Sequence, residues 1–249
     1  EVVRLDVAAK VDGSANFAGD IRLPDMLYAS VRAGPIGDSM LKSVNVKGAS
    51  EIRGFVKLIK TDRWVATLGS NWWAANQALD AISPVFATTG RMPDSGAINA
   101  TLDRMLSNGK GHRIHSAGSF EATLDKAAGT RVYRSQYAVA PALHAPIETR
   151  SATAQFENGR LTLWLATQVP EAARKAAARA IGISTDDVTL IAMQAGGSFG
   201  RNLDSLIAEQ AAVLAKQAKR PVQVVWSRPE DFMRDQVRPP ALARMTATL

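Results

Sequence analysis

The sequence contains no cysteine among its 249 residues. This absence excludes disulfide bonds, cysteine-ligated zinc, thiol nucleophiles and iron–sulfur ligation within the chain. It does not indicate a cellular compartment, because a chain without cysteine is compatible with an oxidising or a reducing environment.

Long apolar runs are also missing. Every apolar stretch is interrupted well before the roughly 18 residues that a membrane-spanning helix needs, so we expect no such helix. The chain starts at Glu1 and shows no basic segment followed by an apolar segment and small residues, as a secretory leader would.

The charge is unbalanced but has no concentrated block. Lys and Arg number 30 against 23 Asp and Glu, which gives a net charge of +7 and a pI near 9.9. A basic excess suits a nucleic-acid binder, yet these charges are dispersed along the chain, so we favour solvated faces. The surplus also suits an anionic cofactor or an acidic partner subunit.

The remaining composition is typical of a soluble globular protein, with 46% hydrophobic and 21% charged residues and a mean hydropathy of −0.07. Up to about residue 88, strand signals alternate with turn signals. Residues 27–32 and 55–59 predict strands, and Ser70 or Asn71 can cap a helix over residues 72–79. This pattern predicts an α+β fold with its own core.

The middle of the chain has weaker signals. Residues 90–96 are rich in glycine and polar residues and predict a linker. Short helices are predicted over residues 97–106 and around residues 119–127. His112 and His115 have a spacing that could serve a metal, but no third histidine lies nearby, so we favour a solvated pair.

The last 120 residues have the clearest pattern. A strand is predicted over residues 130–139, and a hairpin over residues 152–166 turns at Asn158-Gly159, a pair that readily takes positive φ angles. Pro170 suits the start of a helix, and Gly182 suits its end.

A glycine loop follows the next strand, over residues 188–192, and precedes a helix predicted over residues 203–218 and a strand over residues 222–226. The loop reads Gly196-Gly197-Ser198-Phe199-Gly200-Arg201. Glycine lets a backbone approach a ligand closely, a helix N-terminus attracts anions, and Arg201 would add a charged donor. The spacing matches neither the nucleotide P-loop nor the dinucleotide fingerprint. On spacing alone, an anion cradle and an ordinary tight turn both remain open.

Three ordered segments resemble a known family. The loop, together with Thr167-Gln168-Val169-Pro170 before it and Trp226-Ser227-Arg228-Pro229-Glu230-Asp231 after it, is similar to the molybdenum-binding subunit of the xanthine dehydrogenase/aldehyde oxidase family. Within that family, these segments are most similar to those of the isoquinoline 1-oxidoreductase β-subunit and bacterial aldehyde dehydrogenase branch. The run Val11-Asp12-Gly13-Ser14-Ala15-Asn16-Phe17 looks like the family's hammerhead domain, and Leu143-His144-Ala145-Pro146-Ile147-Glu148 resembles its H-A-x-M-E-P segment.

The resemblance implies roles for matched positions. Gln168 stands where the family has a glutamine that hydrogen-bonds an oxo ligand of molybdenum. Gly196, Gly197, Ser198, Phe199, Gly200 and Arg201 match the loop beside the cofactor, with Phe199 as the aromatic wall of the substrate pocket. Ser198 replaces the family's third glycine, and Thr149 replaces a proline after Glu148. For His144 and Glu148 we favour a structural role.

The resemblance also implies an architecture and a chemistry. Residues 1–90 would form a hammerhead-type α/β domain, and residues 91–249 the first part of a molybdopterin-binding α+β domain. The cofactor would be molybdopterin cytosine dinucleotide with molybdenum, and the reaction the oxidation of an aldehyde or N-heteroaromatic substrate with oxygen from water. The family's base, a glutamate, lies downstream of the matched region, so we expect this chain to carry only part of the site.

The implied partners are a [2Fe-2S] subunit that accepts electrons, the remaining part of the molybdenum subunit and a cytochrome c subunit, in the periplasm or else in the cytoplasm. A second hypothesis is a non-catalytic remnant or scaffold that binds only a partner subunit. A nucleic-acid binder is a third, and it would lose affinity steeply with salt. The pair Trp72-Trp73 could stack on a base, but we favour helix packing with one indole partly exposed.

Overall fold

The computed structural model describes residues 2, 4–90, 94–119, 122 and 131–248. Its contacts divide the chain into two compact units. The sheet unit comprises Glu1–Thr89 and His144–Gln236, and the ladder unit comprises Gly90–Leu143 and Val237–Leu249. Both units mix helices and strands, which confirms the predicted α+β class.

The strands follow the chain in the order β1 (Leu27–Ala33), β2 (Ser39–Ser43), β3 (Phe55–Lys60), β4 (Trp64–Gly69), β5 (Val85–Thr88), β6 (Val132–Val139), β7 (Ser151–Glu157), β8 (Arg160–Leu165), β9 (Val188–Ala192), β10 (Val222–Val225) and β11 (Ala241–Thr248). The helices are α1 (Val7–Val11), α2 (Val46–Ser50), α3 (Trp72–Ala81), α4 (Ser95–Ser107), α5 (Pro170–Ile181), α6 (Leu206–Ala218) and α7 (Arg228–Met233). Short 3₁₀ turns lie at Ala18–Asp20, Thr185–Asp187 and Arg201–Leu203.

A seven-stranded sheet in the order β3-β4-β1-β10-β7-β8-β9 organises the sheet unit. The β1–β10 and β8–β9 pairs are parallel, and the other pairs are antiparallel. Strands from the two ends of the chain therefore share one sheet, which crosses the predicted domain boundary at residue 90. The division into residues 1–90 and 91–249 stays a prediction.

Helices cover the sheet with small and branched apolar side chains. Helix α6 packs on β7, β8 and β10 and against α5, while α3 packs on β1 and β4. The inward residues of β8 are leucines that are fully buried, and α6 contributes alanines that let its backbone approach the sheet: Leu161, Leu163, Leu165, Ala208, Ala211, Ala212 and Ala215. Burying such side chains drives the packing of these layers.

The structure confirms three predictions of local structure: a helix cap, a hairpin turn and a helix end. Asn71, rather than Ser70, caps α3, because its Oδ1 accepts a hydrogen bond of 2.8 Å from the N–H of Ala74. Asn158 and Gly159 take φ angles of 51° and 79° in the β7–β8 turn. Gly182 ends α5 with a φ of 68°.

The helix after the glycine loop begins later than predicted. The sequence places its start at residue 203, but a 3₁₀ turn covers Arg201–Leu203 and α6 starts at Leu206. The N–H of Leu206 donates to Oδ1 of Asp204 at 3.1 Å. The helix predicted after the loop is therefore confirmed with a later start, and the chain itself supplies an acceptor for the first N–H of this helix.

In its described residues, the ladder unit contains helix α4 and the antiparallel pair β6–β11. Oδ1 of Asp94 accepts from Ala97 N–H at 2.7 Å and caps α4, which confirms the helix predicted over residues 97–106. The predicted linker at 90–96 gives way to helix from Ser95, and its residues 91–93 lie outside the described residues, as does most of the helix predicted around 119–127. Among the described residues, no helix is long and apolar enough to cross a membrane.

Candidate functional site

The glycine loop leaves the end of β9 and adopts several left-handed backbone angles. The φ angles are 69° at Gly197, 53° at Phe199 and 102° at Gly200. Glycine takes such angles without cost, whereas a bulky residue such as Phe199 takes them only where its surroundings hold it. The Phe199 side chain is 55% exposed, so the loop presents an aromatic ring to its surroundings.

The loop packs against residues 144–148, which we call the brace segment. The N–H of Glu148 donates to the carbonyl of Gly196 at 2.9 Å, and that of Ile147 donates to the carbonyl of Gly197 at 3.2 Å. A Cβ at residue 196 would lie 2.6 Å from the Cβ of Glu148, and one at residue 197 would lie 3.0 Å from Cδ1 of Ile147. Packing within the protein therefore requires a glycine at residue 196, and the φ of 69° favours one at residue 197, before any ligand is considered.

Both ends of the brace segment are fixed by carboxylates. Glu148 accepts hydrogen bonds from Gly196 N–H at 3.0 Å, Gly19 N–H at 3.2 Å and the Ser151 hydroxyl at 3.2 Å. Asp235, which is 2% exposed, accepts from the N–H of His144 at 2.6 Å and contacts its Nδ1 at 2.7 Å. These contacts favour the structural role expected for His144 and Glu148.

Arg201, at the C-terminal end of the loop, directs its side chain to acceptors within the protein. It is 2% exposed. Its Nε donates to Asp231 at 3.1 Å, its Nη1 donates to Asp204, and its Nη2 donates to the carbonyl of Arg234 at 3.0 Å. The guanidinium also lies over the Trp226 ring, with its Cζ 5.5 Å from the ring centroid. Because each of its nitrogens has a protein acceptor, the geometry favours an anchoring role over the expected role of a donor to the cofactor.

Several buried charged groups of the sheet unit have shifted pKa values. Burial raises the pKa of Asp231, and the charge of Arg201 opposes that rise. Burial likewise raises the pKa of Glu230 to about 7, against the opposing charge of Arg234. Burial lowers the pKa of Arg150. Such groups are costly to bury unless they pair, so each depends on the opposite charge that counters its shift.

Gln168 lies beside the C-terminal end of the loop. Its N–H donates to the carbonyl of Asn202 at 2.9 Å, and its Oε1 accepts from the N–H of Asn202 at 3.2 Å. Because a backbone N–H requires an acceptor, the amide oxygen faces the protein, and the NH₂ group is the end left for another partner. Gln168 itself is exposed.

The donors at the site fit an anionic or oxo-bearing ligand. Within the described part of the chain, the backbone N–H groups of Ser198 and Gly200 have no acceptor, and Nε2 of Gln168 has none either. Unpaired N–H groups on a turn with left-handed angles form the kind of concavity that binds anions. The residues present therefore fit the metal end of the cofactor that the family resemblance implies.

Sequence reasoning missed two residues that support this arrangement. Arg150 is 3% exposed, and its Nη1 donates to Oδ1 of Asn202. In the sequence, only their closeness to predicted site residues could have pointed to them, since Arg150 stands two residues after Glu148 and Asn202 directly follows Arg201. A cavity of about 10 Å³ adjoins Arg150, Asn202, Gly196 and Ser198, close to the space that one water needs.

The other candidate residues lie elsewhere. His112 and His115 are exposed in irregular chain, and no cluster of three metal-ligating side chains occurs in the described residues. Trp72 donates from Nε1 to the carbonyl of Val225 at 3.0 Å, while Trp73 is 67% exposed. One indole is therefore half-buried and hydrogen-bonded to the protein, and the other is largely exposed. A cavity of about 640 Å³ in the ladder unit is lined by α4, β6 and β11 and holds none of the predicted site residues.

Comparison with known proteins identifies relatives of this chain. The sequence model of a family described as the molybdopterin cofactor-binding domain matches residues 106–249, more than half of the chain. The chain is 26% identical to isoquinoline 1-oxidoreductase subunit beta of Brevundimonas diminuta, over 99% of this chain and 32% of that protein. It is also 26% identical to the membrane-bound aldehyde dehydrogenase [pyrroloquinoline-quinone] of Gluconacetobacter polyoxogenes, over 98% and 33%.

Solved structures share the fold. Quinoline 2-oxidoreductase from Pseudomonas putida 86 superposes with a TM-score of 0.74 at 19% identity, over 100% of this chain and 37% of that one. Aldehyde oxidoreductase from Desulfovibrio gigas superposes with a TM-score of 0.72 at 15% identity, over 98% and 32%. The chain thus spans about a third of the length of these relatives.

Proposed function

Because this chain belongs to the molybdopterin cofactor-binding domain family of molybdenum hydroxylase large subunits, we propose that it forms part of the active site of such an enzyme. The substrate would be an aldehyde or an N-heteroaromatic compound, hydroxylated with oxygen from water. The names of the relatives, isoquinoline 1-oxidoreductase and aldehyde dehydrogenase, support both substrate classes.

The observation that carries the proposal is the orientation of the Gln168 amide. The backbone N–H of Asn202 donates to the Gln168 amide oxygen and holds it against the protein, while the Gln168 backbone N–H donates to the Asn202 carbonyl. The NH₂ group of Gln168 is left as a donor beside the glycine loop. A donor fixed in this way stabilises negative charge on a ligand without reorganising during the reaction. Gln168 would therefore hydrogen-bond an oxo ligand of the metal.

The glycine loop would hold the metal end of the cofactor, through the N–H groups of Ser198 and Gly200, with Gly196 and Gly197 giving the loop its path along the brace segment. Phe199, exposed at the tip, would form one wall of the substrate pocket. The bound cofactor, molybdopterin cytosine dinucleotide with molybdenum, would supply the two-electron oxidation. Arg201 would act from behind the loop, as the anchor of its C-terminal end.

The proposed partners are supported by the family and by the share of its relatives, about a third, that this chain spans. The remaining part of the molybdenum subunit would supply the base and the rest of the cofactor site, and a [2Fe-2S] subunit would accept the electrons. A cytochrome c subunit and a periplasmic location are proposed with the aldehyde dehydrogenase branch. The relatives' names describe subunits and chains of larger enzymes, which supports assembly with partners.

The test is to purify the native protein that contains this chain from a host that makes the molybdenum cofactor. Molybdenum is measured by mass spectrometry, and turnover by dye reduction with an aldehyde or quinoline. We expect near-stoichiometric molybdenum, and a loss of roughly 10- to 100-fold in turnover for Gln168→Ala, the range seen when an outer partner of a metal site is removed. Phe199→Ala should also lose turnover. Trp73→Ala, an exposed control, should behave as wild type. Full activity without metal contradicts the proposal.

The second candidate is a scaffold that binds only a partner subunit. It is favoured by the packing of Gly196 and Gly197 on the brace segment, which explains these glycines without a cofactor. The same purification separates the two functions. A stable assembly that contains partner subunits but no molybdenum, even when the host supplies cofactor, supports the scaffold.

A further inference from the structure

Arg150 is a buried cation at the start of β7, behind the glycine loop. Its Nη1 donates to Oδ1 of Asn202, and its Nη2 donates to the carbonyl of Asp204 at 2.9 Å. The carboxylate of Asp204 lies 3.6 Å from the same Nη2. The planar fork of an arginine can hold two acceptors in a fixed relation, which a lysine cannot do.

Asn202 connects Arg150 to Gln168 through hydrogen bonds. It is 7% exposed, and both of its backbone polar groups bond to Gln168, at 2.9 and 3.2 Å. It lies in a 3₁₀ turn with φ −90° and ψ 33°, outside regular helical geometry. No helical ladder therefore sets the direction of its N–H, and the side-chain bond to Arg150 restrains the residue together with the bond from Gln168 N–H to its carbonyl.

The geometry points to Arg150 as a positioning residue, which acts through Asn202 to fix the orientation of the Gln168 amide. What the amide then does for the metal rests on the proposed function. The positioning itself concerns only the contacts among these three residues, so it can be measured on the chain without cofactor.

Hydrogen exchange of the residue 202 amide, followed by NMR on the 249-residue chain, tests the positioning. Arg150→Lys breaks the fork, and Asn202→Ala removes the acceptor. We expect the residue 202 amide to exchange at least about tenfold faster in both variants, while amides of the β8 ladder, such as Leu163, change by less than about threefold. A general loss of stability would instead accelerate all of these amides together.

Two further variants serve as controls. Asn202→Asp keeps an oxygen for Arg150 and should restore slow exchange at residue 202. Arg234→Lys replaces a half-buried arginine, whose Nε lies 3.5 Å from Glu230, and should leave the residue 202 amide as in wild type. Unchanged exchange in both Arg150→Lys and Asn202→Ala overturns the inference, as does an equal acceleration at residue 202 and Leu163.

The assembled enzyme supplies the functional measurement. If Arg150 acts through Gln168, Arg150→Lys lowers kcat more than it changes KM, and combining it with Gln168→Ala adds less than about twofold to the loss from Gln168→Ala alone. Fully additive losses overturn the inference. Full turnover in Gln168→Ala, by contrast, overturns the proposed function and leaves the exchange result standing.

Discussion

Replacing Glu230 by glutamine should remove a pH dependence from the stability of the sheet unit. Glu230 is 3% exposed at the third position of α7. Its Oε1 accepts from the N–H of Ala33 in β1 at 3.1 Å and lies 3.5 Å from Nε of Arg234. Glutamine keeps an oxygen for Ala33 but stays neutral at every pH, so the variant isolates the ionisation of this carboxyl.

The magnitude follows from the pKa. Burial raises the pKa of Glu230 from 4.5 to about 7. The folded protein therefore binds a proton that the unfolded chain has already released between these two values, so stability falls as the pH rises through this window. At about 1.4 kcal/mol per pKa unit, the full effect is about 3 kcal/mol. Of this, about 2.5 kcal/mol is lost between pH 5 and pH 8.

The assay is equilibrium unfolding in denaturant, followed by tryptophan fluorescence at pH 5, 6, 7 and 8. The free energy of unfolding of the wild type, minus that of Glu230→Gln, should fall by about 2.5 kcal/mol across this range. Glu157→Gln, at an exposed carboxylate, is the matched control for the loss of one carboxylate. A flat difference for Glu230→Gln, or one that rises with pH, refutes the assignment of a proton to this buried carboxyl near neutrality.

Two other substitutions test the packing of the loop and the start of α3. Gly196→Ala places a Cβ 2.6 Å from the Cβ of Glu148. It should lower the unfolding free energy by about 1–3 kcal/mol and reduce the molybdenum content of the purified assembly. A variant with the stability and molybdenum content of the wild type contradicts the tight packing. Asn71→Ala removes the acceptor for Ala74 N–H and should cost about 1 kcal/mol in denaturant unfolding, whereas no loss at all would mean that Asn71 does not cap α3.

Local structure could be predicted from the sequence because its causes are local. The turn at Asn158-Gly159 and the end of α5 at Gly182 depend on backbone angles that these residues adopt readily. The start of α6 could not be predicted in the same way. Apolar spacing continues back to Leu203, and only the position of the Asp204 carboxylate, which accepts from Leu206, shows where the helix begins.

The candidate site was predicted in part. The glycine loop and Gln168 were found through their resemblance to a family, and the structure brings them together through Asn202. The partners of Arg201 could not be found, because Asp231 is 30 residues away in sequence and is joined to it only by the tertiary fold. A sequence does not distinguish a buried arginine from an exposed one, so the anchoring role of Arg201 could not be predicted.

The place of β10 in the sheet has a consequence for synthesis. This strand lies between β1 and β7, and its residue Val222 pairs with Leu27. Leu27 leaves the ribosome 195 residues before its partner, which takes roughly 10–40 s at about 5–20 residues per second. During that interval one side of β1 has no neighbour. We therefore expect the nascent chain to depend on chaperones until β10 emerges, and a chain cut before residue 222 to be prone to aggregation.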